Sequence, residues 1–234
     1  MIIQLTAAAL IAPSAYFSPW LWRRLYMRAI KSQLTRDRIL CLTYDDGPSR
    51  FVTPKILDLL GRRAAKATFF MLGQSAQRFR DVADRIAQER HDIGCHSSKH
   101  LNAWTVAPWR AVADINAGYD QLSSWMSPNG LFRPPYGKMT LPTYFAVRRR
   151  CASTFWWTID SRDTKETLPD PRQVAAALVE DGGGIVLMHD LDRSKERNEF
   201  VLETTSLLLD VADREKIKVR RLCELQIANR ANLD

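Results

Sequence analysis

Two carboxylates, Asp45 and Asp46, lie side by side and are separated by two residues from the apolar run at residues 39–42. Adjacent acids repel each other and lose hydration when buried, so a fold keeps such a pair in water or supplies a cation. Gly47 and Pro48 predict a turn, which holds the pair at the tip of a strand, where the active sites of α/β folds collect. Taken alone, such a pair is more typical of an exposed acidic turn that caps the next helix.

Two of the four histidines, His96 and His100, follow a second strand-like segment at residues 92–95. A helical turn across residues 96–100 would place both imidazoles on one face. Two imidazoles and one carboxylate give a divalent metal three ligands and leave a position open for water, which is the arrangement of catalytic zinc. The spacing therefore predicts that these histidines converge with the acidic pair.

Three further segments carry reactive side chains, each after a strand-like run. Residues 132–137 contain two prolines, which stiffen the backbone and leave Arg133 on a rigid stem. Residues 157–163 end in Asp163, and the apolar residues 185–188 lead into His189.

In sequence order, these five segments resemble the motifs of the polysaccharide deacetylases with a NodB-homology domain, carbohydrate esterase family 4. The resemblance covers residues 39–191, and family-like spacing continues to about residue 219. It implies a single α/β domain, folded as a distorted (β/α) barrel with seven strands. It also implies a metal-dependent hydrolase that removes N-acetyl groups from amino-sugar residues of a glycan, which would be a cell-wall polymer, an exopolysaccharide or a chito-oligosaccharide.

The resemblance assigns expected roles to individual residues. It implies a divalent metal, zinc in the first place with cobalt or manganese as alternatives, on the ligands Asp46, His96 and His100. The remaining groups would be Asp45 as general base, Arg133 as the cation that orients it, His189 as general acid, Asp163 as the carboxylate that tunes His189, the backbone N–H of Tyr136 as oxyanion donor, and Leu187 as the apolar wall of the acetyl pocket. These roles suit amide hydrolysis, because a bound cation activates water and the amine must be protonated to leave.

One position departs from the family pattern. The family usually has a tryptophan after the aspartate of the fourth motif, and here Thr164 follows Asp163. Because that tryptophan helps to form the acetyl pocket, the change alters the predicted shape of the pocket at Thr164 and with it the substrate. The metal ligands and the acid–base groups are unaffected.

The order of elements predicts a parallel sheet covered by helices. Strand-like runs at residues 39–44, 67–72, 92–95, 130–133, 153–158, 184–188 and 217–220 alternate with amphipathic stretches at 53–63, 82–89, 109–125, 141–150, 172–180 and 199–214. Because reactive residues follow several different strands, a closed or nearly closed barrel with its site at the C-terminal rim fits better than an open sheet.

The chain divides into an N-terminal apolar and basic segment, residues 1–38, and a catalytic domain, residues 39–234. No Lys or Arg precedes the apolar residues 1–12, as a secretory signal would require, and Pro13 breaks the run before it could span a membrane. Two interpretations stay open: a helix packed against the base of the barrel, and a segment that associates with a membrane surface. A cytoplasmic or membrane-associated location is favoured over a secreted one, in bacterial cell envelope metabolism.

The net charge of +8 and the pI near 9.5 indicate an anionic partner or surface. Nucleic acid is not expected, because the arginines are dispersed and no recognition motif is present. The expected partner is an N-acetylated glycan, and the sequence leaves the oligomeric state undetermined.

Two alternatives to the deacetylase remain. The apolar N-terminal segment and Thr164 are compatible with a deformylase or another amidase that acts on a lipid-linked amino sugar. A non-catalytic glycan-binding protein would retain the fold without turnover, but such a protein does not need the acid–base pair of Asp45 and His189.

Overall fold

The computed structural model describes residues 2–126, 130–150 and 152–225, and for residues 2–18 the backbone alone. The strands are β1 (Ile39–Asp45), β2 (Thr68–Met71), β3 (Asp92–Cys95), β4 (Leu131–Phe132), β5 (Ser153–Thr154), β6 (Ile159–Asp160), β7 (Gly184–His189) and β8 (Lys218–Val219). The helices are α1 (Ile2–Asp37), α2 (Val52–Arg62), α3 (Gly73–Arg78), α4 (Arg80–Gln88), α5 (Pro108–Leu122), α6 (Leu141–Arg149), α7 (Pro171–Asp181) and α8 (Lys195–Arg214). Short 3-10 turns occupy Pro135–Gly137 and Leu222–Glu224.

The strands pair in parallel in the order β5-β4-β3-β2-β1-β7-β6, and β8 lies beside the first residues of β1. Within the described strands no pairing joins β5 to β6, so the sheet forms a half-barrel with an open seam. This topology confirms the predicted α/β barrel with seven strands. The sequence pattern did not identify β6 and α3, which are only 2 and 6 residues long.

Alternation along β1 decides which side chains reach the interior of the half-barrel. Leu40, Leu42 and Tyr44 pack in the main core together with the buried faces of α2 and α8. Cys41 instead belongs to an inner cluster with Phe70 of β2 and Ile185 of β7. Because successive side chains alternate between the two faces of a strand, residues 43 and 45 point to the same interior as Cys41.

Helix α1 lies along the half-barrel from its C-terminal rim to its base. Near the rim, Arg23 Nη1 donates to the carbonyl oxygen of Gly137 at 3.2 Å. At the base, Thr35 Oγ1 donates to the carbonyl oxygen of Asp181 at 2.8 Å. Between these points Leu34 is fully buried in the inner cluster. The C-terminal part of α1 therefore shares the core of the barrel.

In the described part of the chain, no helix combines the length and the apolar character that crossing a membrane requires. Association of residues 1–38 with a membrane surface, their separation from residues 39–234 as a domain, and the cellular location stay predictions.

Candidate active site

Asp46, His96 and His100 converge beyond the C-terminal ends of β1 and β3. One ligand atom from each lies within 4.8 Å of the other two. Asp46 Oδ1 is 3.5 Å from His96 Nε2 and 3.3 Å from His100 Nε2. Asp46 Oδ1 is buried and has no hydrogen-bond partner, an arrangement that is costly unless a cation occupies the space between these atoms. The donor set of two nitrogens and one oxygen therefore fits a divalent metal.

The orientation of His96 suits a metal ligand. Its Nδ1 donates to the carbonyl oxygen of Arg133 at 2.7 Å, which leaves the lone pair of Nε2 directed at Asp46. Burial lowers the pKa of His96 to about 3, so the imidazole is neutral, as metal coordination requires.

The histidines converge through a loop, so the predicted helical turn at residues 96–100 is wrong. Ser97 and His100 adopt left-handed backbone conformations, with φ of 71° and 60°, and the hydroxyl of Ser97 accepts the N–H of His100 at 3.1 Å. Asp46 and Tyr136 are also left-handed, with φ of 73° and 56°. A left-handed backbone at a non-glycine residue costs about 1 kcal/mol or more of folding free energy. Residues with this strain are concentrated around the metal ligands.

Asp45 points into the half-barrel and pairs with Arg133. Arg133 Nη1 lies 2.7 Å from Asp45 Oδ1 and 2.8 Å from Thr43 Oγ1. The other guanidinium donors reach the carbonyl oxygens of Phe155 and Trp156, at 3.3 and 3.1 Å. The Arg133 side chain is fully buried, and each of its three nitrogens donates at least one hydrogen bond inside the protein.

Opposing effects act on the pKa of Asp45. Burial raises the pKa, whereas the charges of Arg133 and His189 and the Arg133 hydrogen bond lower it. The second carboxylate oxygen, Oδ2, lies 3.7 Å from His96 Nε2, on the side of the metal-ligand cluster. Asp45 thus presents one oxygen held by a cation and one oxygen toward the site.

His189 ends β7 directly beside Asp45 in the β1–β7 register. Its Nδ1 and its backbone N–H both donate to Asp163, each at 2.8 Å. Burial alone would lower the pKa of His189, but the hydrogen bond and charge of Asp163, together with the charges of Asp45 and Asp46, raise it to about 9. His189 is therefore protonated at neutral pH, with Nε2 as its second donor.

A cavity of about 610 Å³ joins these groups. Its walls include eight of the predicted site residues: Asp45, Asp46, His96, His100, Tyr136, Thr164, Leu187 and His189. The other two predicted residues, Arg133 and Asp163, lie behind the wall, where they contact Asp45 and His189. Trp157 also lines the cavity, as Thr164 does.

Comparison with known proteins places the chain in a family. A sequence model described as Polysaccharide deacetylase matches residues 32–152, just over half of the chain. A peptidoglycan-N-acetylglucosamine deacetylase of Bacillus cereus is 31% identical over 174 residues, which cover 74% of this chain and 81% of that protein. The chain belongs to the polysaccharide deacetylase family. Membership confirms the predicted enzyme class, a hydrolase that removes N-acetyl groups.

Further relatives and solved structures agree with this placement. A chitooligosaccharide deacetylase of Rhizobium leguminosarum is 32% identical over 161 residues, which cover 64% of this chain and 67% of that protein. The Bc1960 peptidoglycan N-acetylglucosamine deacetylase has a TM-score of 0.72 at 25% identity, covering 80% of this chain and 87% of its own. Some relatives are much longer than this chain. The chain spans 34% of the length of the Listeria monocytogenes deacetylase PgdA.

Asp190 is a buried acid of the site to which the sequence analysis gave no role. Its carboxylate accepts the backbone N–H of Gly47 at 3.1 Å and the hydroxyl of Thr53 at 2.7 Å. A Cβ atom on Gly47 would overlap this carboxylate, so a larger residue there would displace Asp190. Asp190 thereby fixes the turn that carries Asp46. The only sequence feature that pointed to a role for Asp190 was its position directly after His189.

Asp163→Asn should move the alkaline limb of kcat/KM to lower pH. The charged form of His189 is present below its pKa of about 9 and is lost as pH rises through that value. The asparagine removes the hydrogen-bonded charge that raises this pKa, so protonated His189 should be lost at a lower pH, nearer its ordinary range. A pH profile of kcat/KM for both proteins measures the shift.

The matched control is Asp160→Asn, because the Asp160 carboxylate bonds the N–H of Arg162 and not His189. Its alkaline limb should coincide with that of the wild type. An unshifted limb in Asp163→Asn would show that His189 is not the group that titrates there.

Proposed function

We propose that this chain hydrolyses the N-acetyl groups of amino-sugar residues in a glycan, using one divalent metal ion on Asp46, His96 and His100. The observation that carries the proposal is the buried, unpartnered Asp46 Oδ1 facing two imidazole nitrogens in a cavity that also holds Asp45 and His189. A metal, a base and an acid around one cavity are the three elements that amide hydrolysis requires.

The expected metal is zinc, which favours imidazole nitrogen and carboxylate oxygen, and cobalt or manganese are the alternatives. When bound, the ion supplies Lewis acidity and lowers the pKa of water from about 15.7 to about 7. Asp46 would contribute the negative charge of the ligand set, and the Arg133 carbonyl would keep His96 in the coordinating tautomer.

Asp45 would act as general base. Its Oδ1 is held by Arg133, so Oδ2 is the oxygen that can accept a proton from the attacking water. Burial keeps the pKa of Asp45 above its ordinary value, which makes the carboxylate a better base than an exposed aspartate, while Arg133 keeps it ionised.

His189 would act as the general acid that protonates the leaving amine. Amide nitrogen leaves poorly without a proton, and His189 Nε2–H is the donor available to it, because Nδ1–H is engaged by Asp163. Each role thus falls on a different side chain: Asp45 would accept a proton from the attacking water, and His189 would give a proton to the leaving amine.

The remaining wall residues would bind the acyl group. We assign the oxyanion to the backbone N–H of Tyr136, whose left-handed conformation turns the chain sharply beside His100. Leu187 supplies apolar surface for the acetyl methyl group. Thr164 replaces the expected indole, and Trp157 is the tryptophan that lines the same cavity.

The glycan is proposed at the level of its chemical class. The relatives named above are described as acting on peptidoglycan or on chito-oligosaccharides, which supports N-acetylglucosamine residues in this chain's substrate. A deformylase of a lipid-linked amino sugar would use the same acid–base groups, but the space that Thr164 leaves in the cavity does not favour the formyl group, which is smaller than acetyl.

Metal-stripped protein, given zinc, cobalt or manganese in turn, should release acetate from N-acetylated chito-oligosaccharides. His96→Ala/His100→Ala should lose both metal affinity and turnover, whereas Asp45→Asn should keep the metal and lose turnover, because Asp45 is not a ligand. Isothermal titration with metal and quantification of acetate and formate measure both effects.

Circular dichroism establishes that each variant is folded. Wild-type metal affinity in the folded double-histidine variant would contradict the ligand set. Formate release from N-formylated chito-oligosaccharides without acetate release from the N-acetylated ones would favour the deformylase, and no release of either acid with any of the metals would favour the glycan-binding protein.

Thr164→Trp should sharpen the preference for acetyl over bulkier acyl groups. An indole at position 164 would fill part of the cavity, and one methylene of discrimination in an apolar pocket is worth about 1–3 kcal/mol, or roughly 10- to 200-fold. The measurement is the ratio of kcat/KM for acetyl and propionyl versions of one amino sugar. Thr167→Trp, on the same exposed loop but away from the cavity, is the control. Equal ratios in both variants would show that position 164 does not shape the acyl pocket.

A further inference from the structure

A second concave surface, which we call the α1 groove, shares Trp157 with the active-site cavity. It has a volume of about 330 Å³ and is formed by one face of α1 together with Trp157 and Thr158. The α1 residues that line it are two bulky ones, Trp20 and Met27, and four cationic ones: Arg23, Arg24, Arg28 and Lys31. No carboxylate belongs to its described lining.

The α1 groove and the active-site cavity share a wall. Trp157 lines both of them. The guanidinium of Arg23 lies 5.4 Å from the centre of the Trp157 ring, and its Nη1 donates to the carbonyl oxygen of Gly137, which also lines the cavity. The groove and the cavity therefore adjoin at Trp157.

Two cationic side chains of the groove, Arg24 and Arg28, have no opposite charge beside them among the described residues. Arg24 and Arg28 are exposed and four residues apart on α1, a spacing at which like charges repel. Lys31 pairs with Asp181 at 2.8 Å, but within the described residues neither Arg24 nor Arg28 has a carboxylate partner. An anion bound between them would supply the missing counter-charge, and the guanidinium fork matches phosphate and carboxylate oxygens.

We propose that the α1 groove binds an anionic substituent, a phosphate or a carboxylate, on a sugar near the one that is deacetylated. The inference rests on the proposed function, because it extends the substrate site of that reaction. Arg24 and Arg28 bind the anion, and the half-buried Trp157, which lines both the groove and the cavity, contacts the sugar. The preferred substrate is then an acidic glycan, consistent with the net charge of +8.

The test compares three versions of N-acetylated chitotetraose: the neutral one, one phosphorylated at O6, and one oxidised to a carboxylate at C6. Wild-type protein should prefer at least one anionic version by about tenfold in kcat/KM, and this preference should shrink at high salt. Arg24→Gln/Arg28→Gln should lose that preference while its rate on the neutral tetraose changes less than about twofold. The favoured version identifies the anion.

Lys55→Gln/Arg62→Gln is the matched control, because it removes the same charge from exposed positions of α2 outside the groove. It should keep the wild-type preference. If both double variants lose the preference for the anionic tetraose equally, the preference comes from overall charge and the proposed anion site is wrong. Equal rates of the wild type on the three tetraoses would also contradict the proposed site.

Binding measured without turnover separates this proposal from the proposed function. If no tetraose is deacetylated, calorimetric titration should still show tighter binding of the anionic tetraose by the wild type than by Arg24→Gln/Arg28→Gln. Co-sedimentation with phosphatidylglycerol vesicles tests the competing partner, an anionic membrane surface. A variant that loses vesicle binding but keeps the wild-type preference among tetraoses would overturn the glycan site.

Discussion

The buried contact between Arg133 and Asp45 connects the parts of the active site. Through its guanidinium, Arg133 holds one oxygen of Asp45 at 2.7 Å and leaves the other oxygen toward the cavity. Through its own carbonyl oxygen, Arg133 accepts Nδ1–H of His96 at 2.7 Å and so directs Nε2 at Asp46. One residue of a two-proline stem thus orients the proposed base and one proposed metal ligand together. Because Arg133 is fully buried, neither contact can be replaced by water without opening the half-barrel.

The rest of the fold maintains this arrangement at some conformational cost. Asp46 and His100 carry left-handed backbone, which is tolerated because packing and hydrogen bonds fix both loops. Asp190 fixes the turn after β1 through Gly47, and Asp163 orients His189 from behind the cavity wall. Helix α1 lies along one side of the half-barrel, and its Arg23 donates to the carbonyl oxygen of Gly137, which lines the active-site cavity.

Sequence reasoning succeeded where a residue type and its place after a strand were sufficient. Apolar runs predicted the order of β1, β3 and β7, and parallel strands deliver their following residues to one rim, so the convergence of the site could be predicted. The conformation of the loop at residues 96–100 could not be predicted, because Ser97 and His100 adopt left-handed conformations although neither is a glycine. Asp190 was missed for a related reason, since its partners Gly47 and Thr53 are distant in sequence and only the tertiary structure brings them together.

The most direct measurement is a double-mutant cycle on the unfolding free energy, with Arg133→Met, Asp45→Asn and the combined variant followed by urea denaturation. Each single variant leaves a buried charge without its partner and should lose about 3–5 kcal/mol. The combined variant removes both charges, so its loss should be well below the sum of the two single losses. If the two losses add to within about 0.5 kcal/mol, the residues are energetically independent and Arg133 does not support Asp45.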